Sequence, residues 1–250
     1  MSVRSDLTEC NGGLADNEIH VWHAELEVGP KQLESLYGLL DRQEQDRALQ
    51  FKVRVPRDEF VVSHAFVRLA LGKYLHVDPR DVQFRVSSNG KPELIGNGPL
   101  RFNLSHTHNA AVLAITRNRP VGVDVERIRE DLDCMKLAER FFSTKEVNWL
   151  RSQPRTEMAK SFYGCWTAKE AYMKATGTGL SAPLAGFSVI PTNYEDLRLE
   201  ISDRPDHSKT WSMWQLDVGE NLRCALAVQE AGTDLHVRTG KWRWRESATI

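Results

Sequence analysis

A long helical stripe followed by short alternating strands occurs twice in this chain, and that repetition restricts the fold more than any other feature of the sequence. From Asp58 to Leu75 the apolar residues Phe60, Val61, Val67, Leu71, Tyr74 and Leu75 recur at the spacing of a half-buried helix. Phe84 and Val86 then flank Arg85 as an alternating strand, and Ala111 to Ile115 reads as another. About 102 residues further on, Phe162 to Gly177 and Phe187–Ser188–Val189 echo the helix and the first strand. Ala225 to Val228 echoes the last strand at an offset of about 113. Each half is therefore expected to be one long helix on a small antiparallel sheet, an α+β fold of two similar halves.

The expected boundaries follow from this pattern. Residues 1–17, broken at Asn11–Gly12–Gly13, read as a flexible arm; 18–118 and 119–235 are the two halves; 236–250 is a tail. The tail carries Arg238, Lys241, Trp242, Arg243, Trp244 and Arg245 and reads as an edge strand with a solvated face. Asp78–Pro79 stops the first long helix, and Gly177 stands at the end of the second as its C′ glycine. Net charge is −1, from 33 basic and 34 acidic residues, which points to neither nucleic acid nor membrane. Cys10, Cys134, Cys165 and Cys224 are widely spaced, which argues against a zinc site or disulfide framework and suits a reducing cytoplasm. Met1 to Asn17 is polar and lacks the apolar core of a signal peptide, and the run Ala110 to Ile115 is too short to span a bilayer.

Three segments carry the chemistry. In Val121–Gly122–Val123–Asp124–Val125–Glu126, an expected strand, Asp124 and Glu126 are two apart and share a face. In the expected helix containing Trp166, Lys169 and Glu170, the pair Glu170 and Lys174 are four apart and share a face as well. A strand with two carboxylates facing a helix with a carboxylate and a lysine suits Mg²⁺ and a phosphate-bearing ligand, because Mg²⁺ takes a few carboxylate oxygens and completes its shell with water and phosphate. Between them lies Phe141–Phe142–Ser143–Thr144–Lys145–Glu146, in which Ser143 and Glu146 have the spacing of a capping box. That spacing is a structural alternative to a catalytic part for Glu146.

The order and spacing of these segments resemble the signature region of the phosphopantetheinyl transferases of the surfactin-synthetase-activator type. That family shows a Gly-hydrophobic-Asp-hydrophobic-Glu strand, a Phe-Phe-Ser-x-x-Glu element and a Trp-x-x-Lys-Glu-x-x-x-Lys helix. Gly90–Lys91–Pro92 and Phe102–Asn103–Leu104–Ser105–His106 match upstream pieces, and the likeness runs over roughly residues 18 to 230. The resemblance implies the pseudo-dimeric fold of that family, with the active site in the cleft between the halves. It implies transfer of the 4′-phosphopantetheine of coenzyme A (CoA) to a serine of an apo-acyl or peptidyl carrier protein, with release of 3′,5′-ADP. It also implies Mg²⁺ as cofactor, with Mn²⁺ as a possible substitute, and a cytoplasmic monomer.

Residue by residue, the resemblance implies Asp124, Glu126 and Glu170 as metal ligands. CoA contacts would come from Arg47, Arg54, Arg57, Lys91, Pro92, Ser105, His106, Lys169 and Lys174. The serine must lose a proton, for which Glu170, Glu146 or a water on the metal are the alternatives. Arg47 stands where relatives use a basic residue for the 3′-phosphate, whereas Glu44 stands where they have lysine; Arg68 suits either a phosphate or an ion pair. Carrier proteins of the family are usually acidic, so docking should favour basic and apolar residues at the cleft mouth. Two other classes stay open from the residues alone: a metal-dependent phosphoesterase, and a non-catalytic homologue that binds carrier domains.

Overall fold

The computed structural model describes residues 3–6, 13–96, 98–178, 183–192, 196–229 and 234–244. The first half opens with β1 (Val3–Asp6) and β2 (Glu18–Glu25), continues through α1 (Pro30–Tyr37), α2 (Arg42–Leu49) and the long α3 (Arg54–Leu75), and then forms a hairpin of β3 (Phe84–Val86) and β4 (Pro92–Leu94). Strands β5 (Leu100–Thr107) and β6 (Ala110–Arg117) close it. The second half runs through β7 (Val121–Arg127), α4 (Cys134–Phe141), α5 (Thr144–Arg151) and the long α6 (Met158–Thr176). It ends with β8 (Ser188–Pro191), β9 (Asp196–Glu200), α7 (Pro205–Ser208), β10 (Trp211–Leu216) and β11 (Leu222–Gln229), followed by β12 (His236–Lys241).

The repeat is visible in the sheets. Their orders are β1-β12-β2-β6-β5 and β7-β11-β10-β9-β8. Within them, β2-β6-β5 and β7-β11-β10 share order and antiparallel sense, and the long helix follows the first strand of each trio. The fold is thus the expected α+β class with two similar halves. The hairpins differ between the halves. β8 and β9 join their sheet through β10, whereas β3 and β4 pair only with each other and leave their hairpin free to lean toward the second half.

Alternation along the strands explains the layers. On β2, Ile19 and Val21 enter a cluster with Val112, Val123, Leu226 and Val237 between the two sheets. Trp22 points the other way, into the core that α3 closes with Phe60, Phe66 and Leu71. There the Tyr74 hydroxyl lies 2.6 Å from His20 Nδ1 and accepts from Trp22 Nε1 at 2.9 Å, so these three polar tips are satisfied, whereas Trp242 Nε1 in the same core has no partner among the described residues. Each large apolar side chain fully buried in this way contributes about 1.5–3 kcal/mol. In the second half α6 lies directly on β7 at Gly122: a Cβ there would collide with the Ala171 carbonyl oxygen and the Ala175 amide nitrogen. This contact brings the helix face of Glu170 and Lys174 to the strand of Asp124 and Glu126.

Both chain ends depart from expectation. The stretch expected as a flexible arm contributes β1, paired in parallel with β12; residues 1, 2 and 7–12 lie outside the described residues. The tail is not an edge strand, because β12 sits between β1 and β2 and pairs with both in parallel. Its aromatics are structural. Trp242 packs edge-on against Trp22 and Phe66, and Lys73 lies over its ring at 5.3 Å. Lys241 pairs with Glu25 and Arg238 with Glu18. Residues 245–250 lie outside the described residues. Among the described residues no helix is long and apolar enough to cross a membrane.

Candidate functional site

The two sheets meet where β5, an edge of one, runs beside β7, an edge of the other. Side chains join them in place of a backbone ladder. Asn103 Oδ1 accepts from the Val123 amide at 2.8 Å, and Ser105 Oγ accepts from the Val125 amide at 3.3 Å. Ser105 Oγ also donates to Asp124 Oδ1 at 2.8 Å, and Thr107 Oγ1 donates to Glu126 Oε2 at 3.4 Å. Alternate residues of β5 from Asn103 to Thr107 thus hydrogen-bond β7, and two of the three hold a carboxylate.

From α6, Lys174 Nζ donates to Asp124 Oδ1 at 2.6 Å and to Ser105 Oγ at 2.8 Å. Asp124 is 4 % exposed, and its Oδ2 is buried without a hydrogen-bond partner among the described residues. Desolvation, together with the Asp124 charge and more weakly Glu170, pushes the Glu126 carboxyl up to about 7, against the pull of Lys174 and Thr107. Glu170 is also raised, by desolvation first and then by Asp124. Three carboxylates therefore share one lysine, and the excess negative charge is paid in raised proton affinity. Among the described residues no three His, Cys, Asp or Glu side chains converge closely enough to hold a metal as they stand. The donor set nonetheless fits a hard divalent ion in kind: all oxygen, over-charged, with one carboxylate oxygen buried and unbonded. Glu126 and Glu170 are each only partly buried.

The first half supplies basic groups to the same cleft. His106, at the exposed end of β5, has its pKa lowered by desolvation, then by His64 and Lys174 nearby. Lys91 sits after the turn at Gly90, whose φ of 80° lies in the left-handed region that glycine adopts freely. Its Nζ donates to the Val121 and Lys174 carbonyls, each at 2.8 Å, and burial first, then Lys174, lowers its pKa to about 8. Lys91 therefore ties the free hairpin to both elements that carry the carboxylates. Beside it, Pro92 lines a cavity of about 440 Å³ with Ser87, Asn89, Arg101 and Phe102.

Two expected site residues lie elsewhere. Lys169 and Glu146 are both fully buried in the second half. Lys169 Nζ donates to the two Glu146 carboxylate oxygens at 2.9 and 2.8 Å and to the Phe187 carbonyl at 2.5 Å, over the Phe187 ring. Glu146 closes the capping box with Ser143 and accepts from the Val189 amide at 2.8 Å. Lys169 is therefore corrected from a CoA contact to a structural cation, and Glu146 from a base to its partner. Neither reaches the cleft, because every ammonium proton and both carboxylate oxygens are engaged inside the core.

The first-half arginines divide. Arg54 and Arg57 pair with Asp58 at 3.1 and 3.0 Å, whereas Arg47 lies over the Phe60 ring at 5.7 Å. Arg68 is buried and bonded to Asp41, Glu44 and the Pro79 and Val82 carbonyls, which makes it an ion-pair partner. Sequence reasoning missed Asn103, Thr107 and the staple made by the Lys91 side chain. The polar alternation Asn103, Ser105, Thr107 in a strand flanked by apolar residues was a usable signal for the first two.

The sequence is similar to known proteins over both halves. The model of the 4′-phosphopantetheinyl transferase superfamily matches residues 120–227, and that of the 4′-phosphopantetheinyl transferase N-terminal region matches 25–118. The chain is 36 % identical over 222 residues to the 4′-phosphopantetheinyl transferase HetI of Nostoc sp., covering 88 % of this chain and 91 % of that one. It is 24 % identical over 210 residues to the 4′-phosphopantetheinyl transferase Sfp of Bacillus subtilis, covering 83 % and 91 %. A holo-(acyl-carrier-protein) synthase from Bacillus anthracis, solved in complex with CoA (3′,5′-ADP), superposes with a TM-score of 0.38 at 23 % identity. That superposition covers 45 % of this chain and 96 % of the synthase. The chain belongs to the 4′-phosphopantetheinyl transferase superfamily.

Proposed function

We propose that this transferase moves the 4′-phosphopantetheine arm of CoA onto a serine hydroxyl of an apo-acyl or peptidyl carrier protein, with release of 3′,5′-ADP, and that the seam between β5 and β7 is its active site. The observation that carries the reading is the cluster of Asp124, Glu126 and Glu170 around a single lysine at the junction of the halves. In this transfer the serine oxygen bonds the pantetheine-side phosphorus, and the bond from that phosphorus to the bridging oxygen of the 3′,5′-ADP breaks. The pyrophosphate brings more negative charge to the cluster, so the site needs cations there.

Asp124, Glu126 and Glu170 would hold Mg²⁺, with Mn²⁺ as a substitute. The ion supplies charge neutralisation for the pyrophosphate when bound. Ser105 and Lys174 fix Asp124 through its Oδ1, which leaves the buried, unbonded Oδ2 as the oxygen for the ion. Lys174, partly exposed, would meet a phosphate as a point charge. His106 and Lys91 border the cleft from the first half, where His106 would gain a proton as a phosphate approaches. With Glu146 inside the core, Glu170 or a water on the metal is left to accept the serine proton, and burial and the Asp124 charge raise the proton affinity of Glu170. The buried thiols of Cys134, Cys165 and Cys224 suit the cytoplasm as the site of action, and the reading takes the enzyme as a monomer.

The test is incubation with CoA, Mg²⁺ and an apo-carrier protein, read by intact mass. A gain of one phosphopantetheine on the carrier serine, lost on chelation and restored by Mg²⁺, is expected. An unmodified carrier from any of the acyl or peptidyl classes, at micromolar enzyme, would overturn the reading.

A further inference from the structure

Glu44 occupies a place where the family resemblance leads one to expect a phosphate-binding lysine, and the structure shows how its charge is used. It is N3 of α2 and closes a capping box with Asp41. Its Oε2 accepts from the buried Arg68 Nε at 2.6 Å, and its Oε1 lies 2.9 Å from His64 Nδ1. Burial works against the Glu44 anion, but His64 and Arg68 together hold its carboxyl below the ordinary value. The hydrogen-bond pattern therefore gives His64 an Nδ1–H that donates to a carboxylate, which fixes the ring and leaves Nε2 as the nitrogen open to a ligand. A phosphate bound there would meet the imidazolium form, whose charge Glu44 balances.

His64 is partly exposed, and its ring lies on Phe60 with centroids 4.0 Å apart. Arg47, from α2, lies over the same Phe60 ring. His106, from β5, is close enough to His64 to feel its charge. The nearest further acid on α3, Glu59, is engaged with His108 Nδ1 and the Asn109 amide, both at 2.8 Å. Arg47 and His64 thus meet over one aromatic ring, with His106 near His64. The carboxylates beside them are already committed, Glu44 to Arg68 and His64, and Glu59 to the β5–β6 turn.

We propose that His64, oriented by Glu44, is a ligand for the 3′-phosphomonoester of CoA, with Arg47 and His106 as its neighbours in the same subsite. The exchange of lysine for glutamate at position 44 then moves the cation by one layer and does not remove it. This rests on the CoA reading above, and its test separates the two. Binding of CoA and of dephospho-CoA, which lacks only the 3′-phosphate, is measured by calorimetry with Mg²⁺ for wild type, His64→Ala, His64→Lys and Glu44→Gln. Wild type should prefer CoA. His64→Ala should weaken CoA about tenfold, a loss typical of one charge-assisted contact, and leave dephospho-CoA unchanged. His64→Lys should keep the preference, and Glu44→Gln should lose part of it. Equal weakening of both ligands, or an unchanged preference in His64→Ala, would overturn the assignment even where the wild type still modifies a carrier. A wild type that binds neither ligand and modifies no carrier would overturn the CoA reading itself.

Discussion

Helix α6 carries Lys169 and Lys174, each bonded to a carboxylate from another element, and the two pairs are built for opposite ends. At Lys169 the ion pair is closed. Lysine and Glu146 are both 0 % exposed, and the ammonium meets Glu146 and a carbonyl while the carboxylate also takes a cap and the Val189 amide. At Lys174 the pair is open. The lysine is partly exposed, Asp124 keeps one oxygen unbonded among the described residues, and Glu126 and Glu170 crowd beside it with raised pKa values. The same two residue types, one turn or so apart on one helix, become structure where every polar atom is satisfied and a reactive site where they are not.

The largest effect expected from this contrast is on stability at the closed pair. Lys169→Met leaves Glu146 buried with no counter-charge, which costs about 3–5 kcal/mol. Lys174→Met removes a cation that water can partly replace, and should leave the melting temperature within a few degrees of wild type while turnover collapses. Thermal melts beside the carrier assay check both. A Lys169→Met protein as stable as wild type would show that the closed pair is not the structural partner of the open one.

Next in size is the loss of chemistry at the open pair. Asp124→Asn keeps the shape and one oxygen but removes the charge that Lys174 and Ser105 orient. Turnover should fall by about 10² or more, with an unchanged or higher melting temperature, because one member of a repelling trio is gone. Glu170→Gln separates roles at the same site. A ligand alone should recover rate as Mg²⁺ is raised, whereas a base should lose about 10²-fold that the metal does not restore. Titrating Mg²⁺ at saturating CoA distinguishes the two, and a rate within twofold of wild type at ordinary Mg²⁺ would defeat both.

The comparison also shows what a sequence carries and what it hides. The repeated helix-and-strand pattern was legible because hydrophobic period reports the burial of each face, whereas the strand orders β2-β6-β5 and β7-β11-β10 are set by long-range pairing that the period does not record. The carboxylates of β7 and Glu170 with Lys174 were legible through spacing, since residues two apart on a strand or four apart on a helix share a face. The same rule argued against grouping Lys169 with Glu170, because adjacent helical residues do not face one way; Lys169 followed the motif and not the geometry. Pairing of β12 with β2 was hidden, as a parallel partner at the opposite end of the chain leaves no local mark. The seam left a trace in the polar alternation Asn103, Ser105, Thr107, but the edge it joins was hidden, because the bonds run through side chains to a second sheet.

The smallest effect concerns Glu126 and has a definite sign. Its folded-state pKa of about 7 lies above the ordinary 4.5, so the folded protein holds this proton more tightly than the unfolded chain does. Stability from this group is therefore full below pH 4.5 and falls as pH rises through about 7, where the folded carboxyl finally ionises beside Asp124. Glu126→Gln abolishes the ionisation. In metal-free buffer its melting temperature should match wild type at pH 4.5 and exceed it at pH 8, by about 2 °C or more. Adding Mg²⁺ at pH 8 should raise the wild type toward the variant, since the ion supplies the counter-charge that the proton no longer does. The closed pair offers the control: Glu146 has no repelling carboxylate among its bonded neighbours, so Mg²⁺ should not change how far Lys169→Met lowers the melting temperature. A Glu126→Gln protein less stable than wild type at pH 8 would mean that the bond from Thr107 and the attraction of Lys174 outweigh the repulsion from Asp124, and the open site would then be less frustrated than its carboxylates suggest.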